Sequence, residues 1–415
     1  MIALLMSAIL ARAQPPVSSP PATCTDALCG AEALAPFFER VRGAGTRPVH
    51  IIQIGDSHTA ADAITNALRS ELQRRFGNGG RGMMLPGRPY PRVVTWNVTA
   101  GQSGGWTTTG LLESATPAVP LGLSGFTQTS SSVGRTLTIT ADGPDQLFTG
   151  FRVCALTRPG AGMVRLSVGG QSIEWSLDGP SGVQCRNVEA PTPAASATLL
   201  TLSDRPVSIT SVATSRRGGG VLLSNLGVIG AQIAHLGRED DRVTASELGA
   251  ATPDLLILAF GTNEAFREDL SERDYEAGLR AQVARLRRMA PGVPILLIGP
   301  PDVGRRRAAI SAQACEAGFS TPRLLPAIRE AQRHLAREQG LAFWDWERAM
   351  GGRCSAGRWH AEGLMRDDLI HFNRYGGDRI GRILFSDLAR AGTRYDPRWG
   401  GPTESLQPAS DGATR

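Results

Sequence analysis

Val49-His50-Ile51-Ile52-Gln53-Ile54-Gly55-Asp56-Ser57-His58 joins an apolar, β-branched run to a glycine turn and a serine. The run has the length and composition of a buried strand, and Ala60 to Phe76 beyond it shows helical spacing with good helix formers. Ser57 is therefore expected where strand becomes helix. At such a junction the free N–H groups of the first turn and the positive end of the helix dipole stabilise a developing oxyanion. The alternative for this tripeptide is plain helix capping, with Asp56 or Ser57 closing the donors of the first turn.

A second stretch near the other end changes the balance. Asp368-Leu369-Ile370-His371 precedes a helix-like segment from Tyr375 to Ala389, and residues three apart share a face of one helical turn. A carboxylate so placed accepts from one imidazole nitrogen and leaves the other to take a proton from a serine, which is the nucleophile, base and orienter logic of acyl transfer. The six histidines stand at 50, 58, 235, 334, 360 and 371. His50 reads as structural, and His235 and His334 as solvated residues in helical polar stretches. His58, adjacent to Ser57, is a candidate substrate contact with simple packing as its alternative. His360 lacks a carboxylate at matching spacing and ranks behind His371 as base.

Pro253-Asp254-Leu255-Leu256-Ile257-Leu258-Ala259-Phe260 reads as a central parallel strand ending in Gly261-Thr262-Asn263-Glu264. Ligand groups collect at the carboxyl ends of such strands. The Asn263 amide is a candidate oxyanion donor, with turn chemistry as its alternative. Leu226-Gly227-Val228-Ile229-Gly230-Ala231 is another strand-to-helix junction, where Gly230 lets a backbone N–H approach the same anion.

Taken in chain order, Gly55-Asp56-Ser57, Gly230, Gly261-Thr262-Asn263 and Asp368-x-x-His371 resemble the four sequence blocks of the SGNH (GDSL-like) hydrolase superfamily. Within it, Gly-Asp-Ser-His-Thr-Ala-Ala-Asp (55–62) and Phe-Gly-Asn-Gly-Gly-Arg-Gly (76–82) look most like periplasmic peptidoglycan O-acetylesterases of Gram-negative bacteria. The second block departs most from the pattern, and Gly227 is the alternative to Gly230. The resemblance implies an α/β fold, a parallel sheet flanked by helices, with an inserted all-β domain resembling a carbohydrate-binding module. It also implies Ser57 as nucleophile, His371 as base and Asp368 as its orienter. The oxyanion is assigned to the N–H groups of Ser57 and Gly230 and to the Asn263 amide. The implied reaction removes acetyl from the 6-hydroxyl of N-acetylmuramic acid. The alternatives are an acetyltransferase, an esterase acting on another O-acetylated polysaccharide or on a lipid, and, from a different class, a wall-binding protein with a decayed hydrolase domain.

Composition narrows the chemistry. The 44 basic residues are all arginine, so Schiff-base catalysis, a lysine-anchored cofactor and a Walker-type phosphate loop are excluded, since each needs an ε-amine. No cofactor is expected. No Cys/His cluster has zinc spacing, so no metal is expected either. The formal charge of +6 permits peripheral association with an anionic wall polymer or membrane, yet the arginines are scattered, with Arg305-Arg306-Arg307 the only triplet. Nothing resembles a nucleic-acid module.

Met1 to Ala13 is mostly apolar and ends in the small-x-small form of a signal-peptidase site, although a basic start is missing. With about ten apolar residues it is too short to span a bilayer, and no transmembrane segment is expected in the mature chain. Cys24 and Cys29, Cys154 and Cys185, and Cys315 and Cys354 form three neighbourhoods. An even count in an exported chain favours disulfides, though spacing leaves their connectivity open. A periplasmic or otherwise exported location follows.

The expected organisation is a signal peptide at 1–13, a leader at 14–46, a first hydrolase segment at 47–85, an insert at 86–220, a second hydrolase segment at 221–392 and a disordered tail at 393–415. Strands and helices alternate in both hydrolase segments. Between Pro86 and Gly220, short alternating runs such as Arg135 to Thr140 are separated by Gly, Ser and Pro clusters, an all-β pattern. Trp96, Trp106 and Trp175 lie in this region as candidate sugar contacts, with core packing as the alternative for each.

Overall fold

The computed structural model describes residues 23–306, 314–315 and 318–400. The candidate signal peptide, most of the leader and the tail beyond residue 400 lie outside the described residues.

The apolar run Val49–Gly55 is an interior strand of an eight-stranded sheet and is buried along its whole length. Its parallel neighbours are Val221–Gly227 on one side and Leu255–Ala259 on the other, followed outward by Ile295–Ile298 and Ala342–Trp344. Alternate side chains serve opposite faces. Ile51 packs in a cluster with Leu68, Leu72, Ile380 and Leu384 of the helices Ala63–Phe76 and Arg374–Gly392. Ile52 and Ile54 pack on the other face with Leu279 and Val283 of Glu272–Met289 and with Ile328 of Leu325–Gln339. Helices on both faces explain why the strand reads as uninterrupted apolar sequence.

Both ends of the hydrolase domain are longer than expected. The residues expected to form a leader are packed from Ala27 onward: Leu28–Cys29 pairs antiparallel with Ala342–Trp344, and Phe37, Phe38 and Val41 of the helix Ala35–Arg42 are fully buried. The expected disordered tail is ordered at least to Gly400, because the Trp399 ring inserts among Phe37, Phe38, Phe76 and Phe385. Burial of large aromatic surface offsets the cost of ordering these segments, a gain that Pro- and Gly-rich composition conceals.

Between the two hydrolase stretches lie two antiparallel sheets. One pairs Gly182–Ala194, Phe148–Thr157, Val207–Ser215, Phe126–Ser130 and Thr107–Gly110, with Gly82–Met84 beside Val207–Ser215. The other pairs Gln171–Ser176, Met163–Val168, Ser196–Thr201, Thr136–Ala141 and Val98–Gln102. Their inward residues share one core, including Phe151, Val164 and Leu199. The seam with the hydrolase sheet is packed and hydrogen-bonded. Met83 packs in the hydrolase core while Met84 packs in the all-β core. Buried Glu247, on the helix Asp241–Ala251, accepts from Thr210 Oγ1, Ser211 Oγ and the Leu123 N–H.

The cysteines pair as Cys24–Cys29, Cys154–Cys185 and Cys315–Cys354. Such bonds persist in oxidising compartments. Among the described residues no helix is long and apolar enough to cross a membrane.

Candidate active site

Because Val221–Gly227, Val49–Gly55 and Leu255–Ala259 are adjacent and parallel, with Gly55 level with both Gly227 and Ala259, the turns that follow them emerge together. Ser57 opens the short helix Ser57–Ala60, and Asp56 caps it by accepting from the His58 N–H. The helix expected from Ala60 to Phe76 is broken at Asp62, which adopts a left-handed conformation with φ 57°, and restarts at Ala63.

Ser57 Oγ lies 3.0 Å from His371 Nε2, and His371 Nδ1 lies 2.7 Å from Asp368 Oδ2. Asp368 and His371 do not share a helical turn, which corrects the expected local structure. They occupy a loop with Leu369 at φ 55°, where Asp368 Oδ1 accepts from the N–H groups of Ile370 and His371, both at 2.9 Å. The carboxylate thus folds the loop that presents its own partner. Burial pushes the Asp368 carboxyl up, but the His371 amide, the His371 ring and the Ile370 amide outweigh it and hold the group below the ordinary carboxylate range.

Gly230 has φ 83°, and its N–H, like that of Ser57, has no acceptor among the described residues. Asn263 Nδ2 donates to the Ala231 carbonyl at 2.9 Å, so one amide hydrogen braces the Gly230 turn and the other is left over. Buried Glu264 joins the two turns by accepting from the Ile233 N–H at 2.7 Å and the Gly261 N–H at 3.0 Å, and burial pushes its carboxyl up to about 7.

A cavity of about 860 Å³ opens over Ser57 and His371, a size that suits a small-molecule or sugar ligand. Its walls come from both regions. Tyr90, Trp96, Leu112 and Phe126 lie on the insert side, and Arg366 and Phe372 on the hydrolase side.

The structure sorts the other expected contacts. His58 lines the cavity, but its ring nitrogens are engaged inward, Nδ1 with Asp56 Oδ1 at 3.2 Å and Nε2 with the Ile370 carbonyl at 2.9 Å. It ties the serine turn to the histidine loop, a correction to its reading as a substrate contact. Burial works against the charged ring, yet the Asp56 carboxylate, the Ile370 carbonyl and Asp368 together raise it above the ordinary histidine range. Trp175 is 6% exposed within the all-β core, and Trp106 packs against that core with its indole N–H donated to the Thr136 carbonyl. Neither lines the cavity over Ser57 and His371. Trp96 does line it. His360 pairs with exposed Asp367 at 3.0 Å, away from the cavity. His235 is half-buried rather than solvated, and its Nδ1 accepts from the Gln232 N–H. Half-buried Glu276 and exposed His334 and Glu338 come together, but Arg280 already pairs with both carboxylates.

One buried group beside the site escaped the sequence reading. Asp62 is fully buried and accepts from Arg81 Nη2 at 2.9 Å, the Trp96 N–H at 2.7 Å and Asn225 Nδ2 at 3.0 Å. Burial would raise this carboxyl, but Arg81 and Arg69 hold it below its ordinary value. Its signal was its place at the end of the Gly55–Asp62 motif, with Arg81 in the following glycine block.

Residues 202–379 match the sequence profile of the GDSL-like Lipase/Acylhydrolase family. The match includes Gly230, Asn263, Asp368 and His371 and stops short of Ser57, which only folding brings to them. Among solved structures, a peptidoglycan O-acetylesterase described as in action at 5 min is 27% identical, with a TM-score of 0.72, over 89% of this chain and 98% of its own. A GDSL-like lipase from Parabacteroides merdae is 17% identical over 40% of this chain and 73% of its own, with a TM-score of 0.32. A family two carbohydrate esterase from Cellvibrio japonicus is 10% identical over 73% and 99%, with a TM-score of 0.27. No curated protein matches the chain. With these blocks assembled at the carboxyl edge of one parallel sheet, residues 202–379 carry a GDSL-like lipase/acylhydrolase domain, and the chain is an esterase acting on ester bonds.

Proposed function

We propose that the chain is a serine carbohydrate O-acetylesterase that removes acetyl from the 6-hydroxyl of N-acetylmuramic acid in peptidoglycan, in the periplasm or otherwise outside the cytoplasm. The observation that carries this reading is the Ser57–His371–Asp368 relay at 3.0 and 2.7 Å in the wall of a sugar-sized cavity. The likeness to the peptidoglycan O-acetylesterase over nearly its whole length supports the choice of substrate.

In this mechanism Ser57 Oγ attacks the acetyl carbonyl carbon while His371 Nε2 takes the hydroxyl proton. The Ser57 and Gly230 N–H groups and the free Asn263 amide hydrogen receive the oxyanion. The intermediate collapses by breaking the bond to the sugar oxygen, which takes the proton from His371 and leaves as alcohol. Water, deprotonated by His371, then attacks the acetyl-enzyme and releases acetate and free Ser57. Asp368 keeps the imidazole tautomer and stabilises the transient imidazolium. Residues 47–85 and 221–392 carry this chemistry, and 86–220 act as a carbohydrate-binding insert whose loops form one cavity wall.

Acetate release from O-acetylated sacculi tests the reading, compared with de-O-acetylated sacculi, acetylated xylan and a phospholipid. Preferential release from O-acetylated sacculi is expected. Turnover of p-nitrophenyl acetate without release from sacculi would overturn the peptidoglycan assignment and leave the esterase.

A further inference from the structure

We infer that the catalytic cavity contains a carboxylate-recognising subsite formed by Arg374, Arg366 and Arg92, with Trp96 as the residue that positions it. The inference rests on the sugar-ester reading above and deepens it, because it adds an anionic group to the substrate.

All three arginines line the cavity that holds Ser57 and His371, all three are exposed, and none has an ion-pair partner among the described residues. This sets them apart from Arg280, Arg285, Arg329 and Arg382, which carry carboxylate partners. Among the described residues Glu113 is the one acidic residue in the cavity wall, so that lining is net positive. A planar guanidinium with no internal partner, facing a ligand cavity, is suited to bidentate binding of carboxylate.

The geometry is also built. The Arg374 guanidinium carbon sits 5.0 Å over the Trp96 ring, a cation–π contact that restrains a long, flexible side chain. Trp96 is held in turn. Its N–H is given to buried Asp62 at 2.7 Å, and its indole N–H points to the Ala61 carbonyl at 3.4 Å. Asp62 is anchored by Arg81 and Arg69. One face of the Trp96 ring is therefore occupied by Arg374, so this tryptophan acts through the arginine rather than as an open platform for sugar. The backbone N–H of Arg366 is donated to the His371 carbonyl at 2.8 Å, which sets this residue beside the base in the wall of the same cavity. A muramyl substrate offers a carboxylate from two sources, a free lactyl group or the end of an attached peptide.

The test is inhibition of p-nitrophenyl acetate hydrolysis, which needs no turnover of the inhibitor. N-acetylmuramic acid, its methyl ester, muramyl dipeptide and the dipeptide methyl ester are compared at low ionic strength. The acid of one pair is expected to inhibit with a Ki about tenfold lower than its ester. The pair that shows the preference identifies the lactyl or the peptide carboxylate. The preference should shrink with added salt, because exposed charges are screened. It should fall towards unity in Arg374→Gln and Arg366→Gln, persist in part in Arg374→Lys, and weaken in Trp96→Leu with thermal stability measured alongside. Equal Ki values for acid and ester in both pairs, or a preference unchanged in Arg374→Gln and Arg366→Gln, overturn the subsite. Acetate release from sacculi tests the enzyme's function separately from either result.

Discussion

Replacing Gly227 by alanine is expected to disable the site from behind. A Cβ at Gly227 would lie 2.1 Å from the Ala60 nitrogen and 2.6 Å from both Ala60 Cα and the Thr59 carbonyl carbon. These are backbone atoms of the turn that begins at Ser57, so no side-chain rotation relieves the clash. Ordinary contact begins near 3.4 Å, so strand or turn must give way by about 1.3 Å, the difference between 3.4 and 2.1 Å. The strand is buried along its whole length and hydrogen-bonded to neighbours on both sides, whereas the serine turn is one short helix. The turn is the softer element and should move, taking Ser57 Oγ away from its position 3.0 Å from His371 Nε2. A displacement of about 1 Å in a reacting group costs on the order of 100-fold in rate, or about 2.7 kcal/mol of barrier. The assay is kcat on p-nitrophenyl acetate with a thermal melt of the same sample. Gly249→Ala serves as control, since a Cβ there meets nothing within 4 Å in the helix Asp241–Ala251. A folded Gly227→Ala enzyme with kcat within about threefold of the parent would refute the reasoning.

Ser57→Ala and His371→Ala should each lower kcat by several orders of magnitude with the fold retained, and the double variant should be no worse than either, because the members of such a unit do not act additively; single-turnover kinetics on p-nitrophenyl acetate check this. His58→Leu removes the partner of the Ile370 carbonyl and should lower kcat about tenfold to a hundredfold; an unchanged rate would show that the histidine loop holds itself. Buried His50 has its pKa lowered to about 4, chiefly by burial. Its neutral form donates from Nδ1 to the Ala251 carbonyl and accepts at Nε2 from Ser224. A group whose folded pKa lies below its unfolded value of about 6.5 costs stability as pH falls from 6.5 towards 4, since only the unfolded chain takes up the proton. Between pH 7 and pH 5 the stability advantage of the parent over His50→Gln should therefore narrow by about 2 kcal/mol in urea melts, and a constant gap would count against a neutral buried ring.

The strand, turn and serine at Val49–Ser57 were legible because a strand covered on both faces must be continuously apolar, and because local turn chemistry needs no distant partner. Asp368 and His371 were legible as a pair because they contact each other within three residues, although in a loop rather than a helix. The ordered ends were hidden, since Trp399 and Phe38 meet across nearly the whole chain. The three tryptophans were indistinguishable by composition, and only packing separated core Trp175 from Trp96 in the cavity. His58 looked like a substrate contact because it neighbours the serine, and its true partner, the Ile370 carbonyl, stands 312 residues away. Local motifs carry the identity of reacting groups, whereas the direction in which a side chain points is decided by neighbours distant in sequence, and only tertiary structure supplies them.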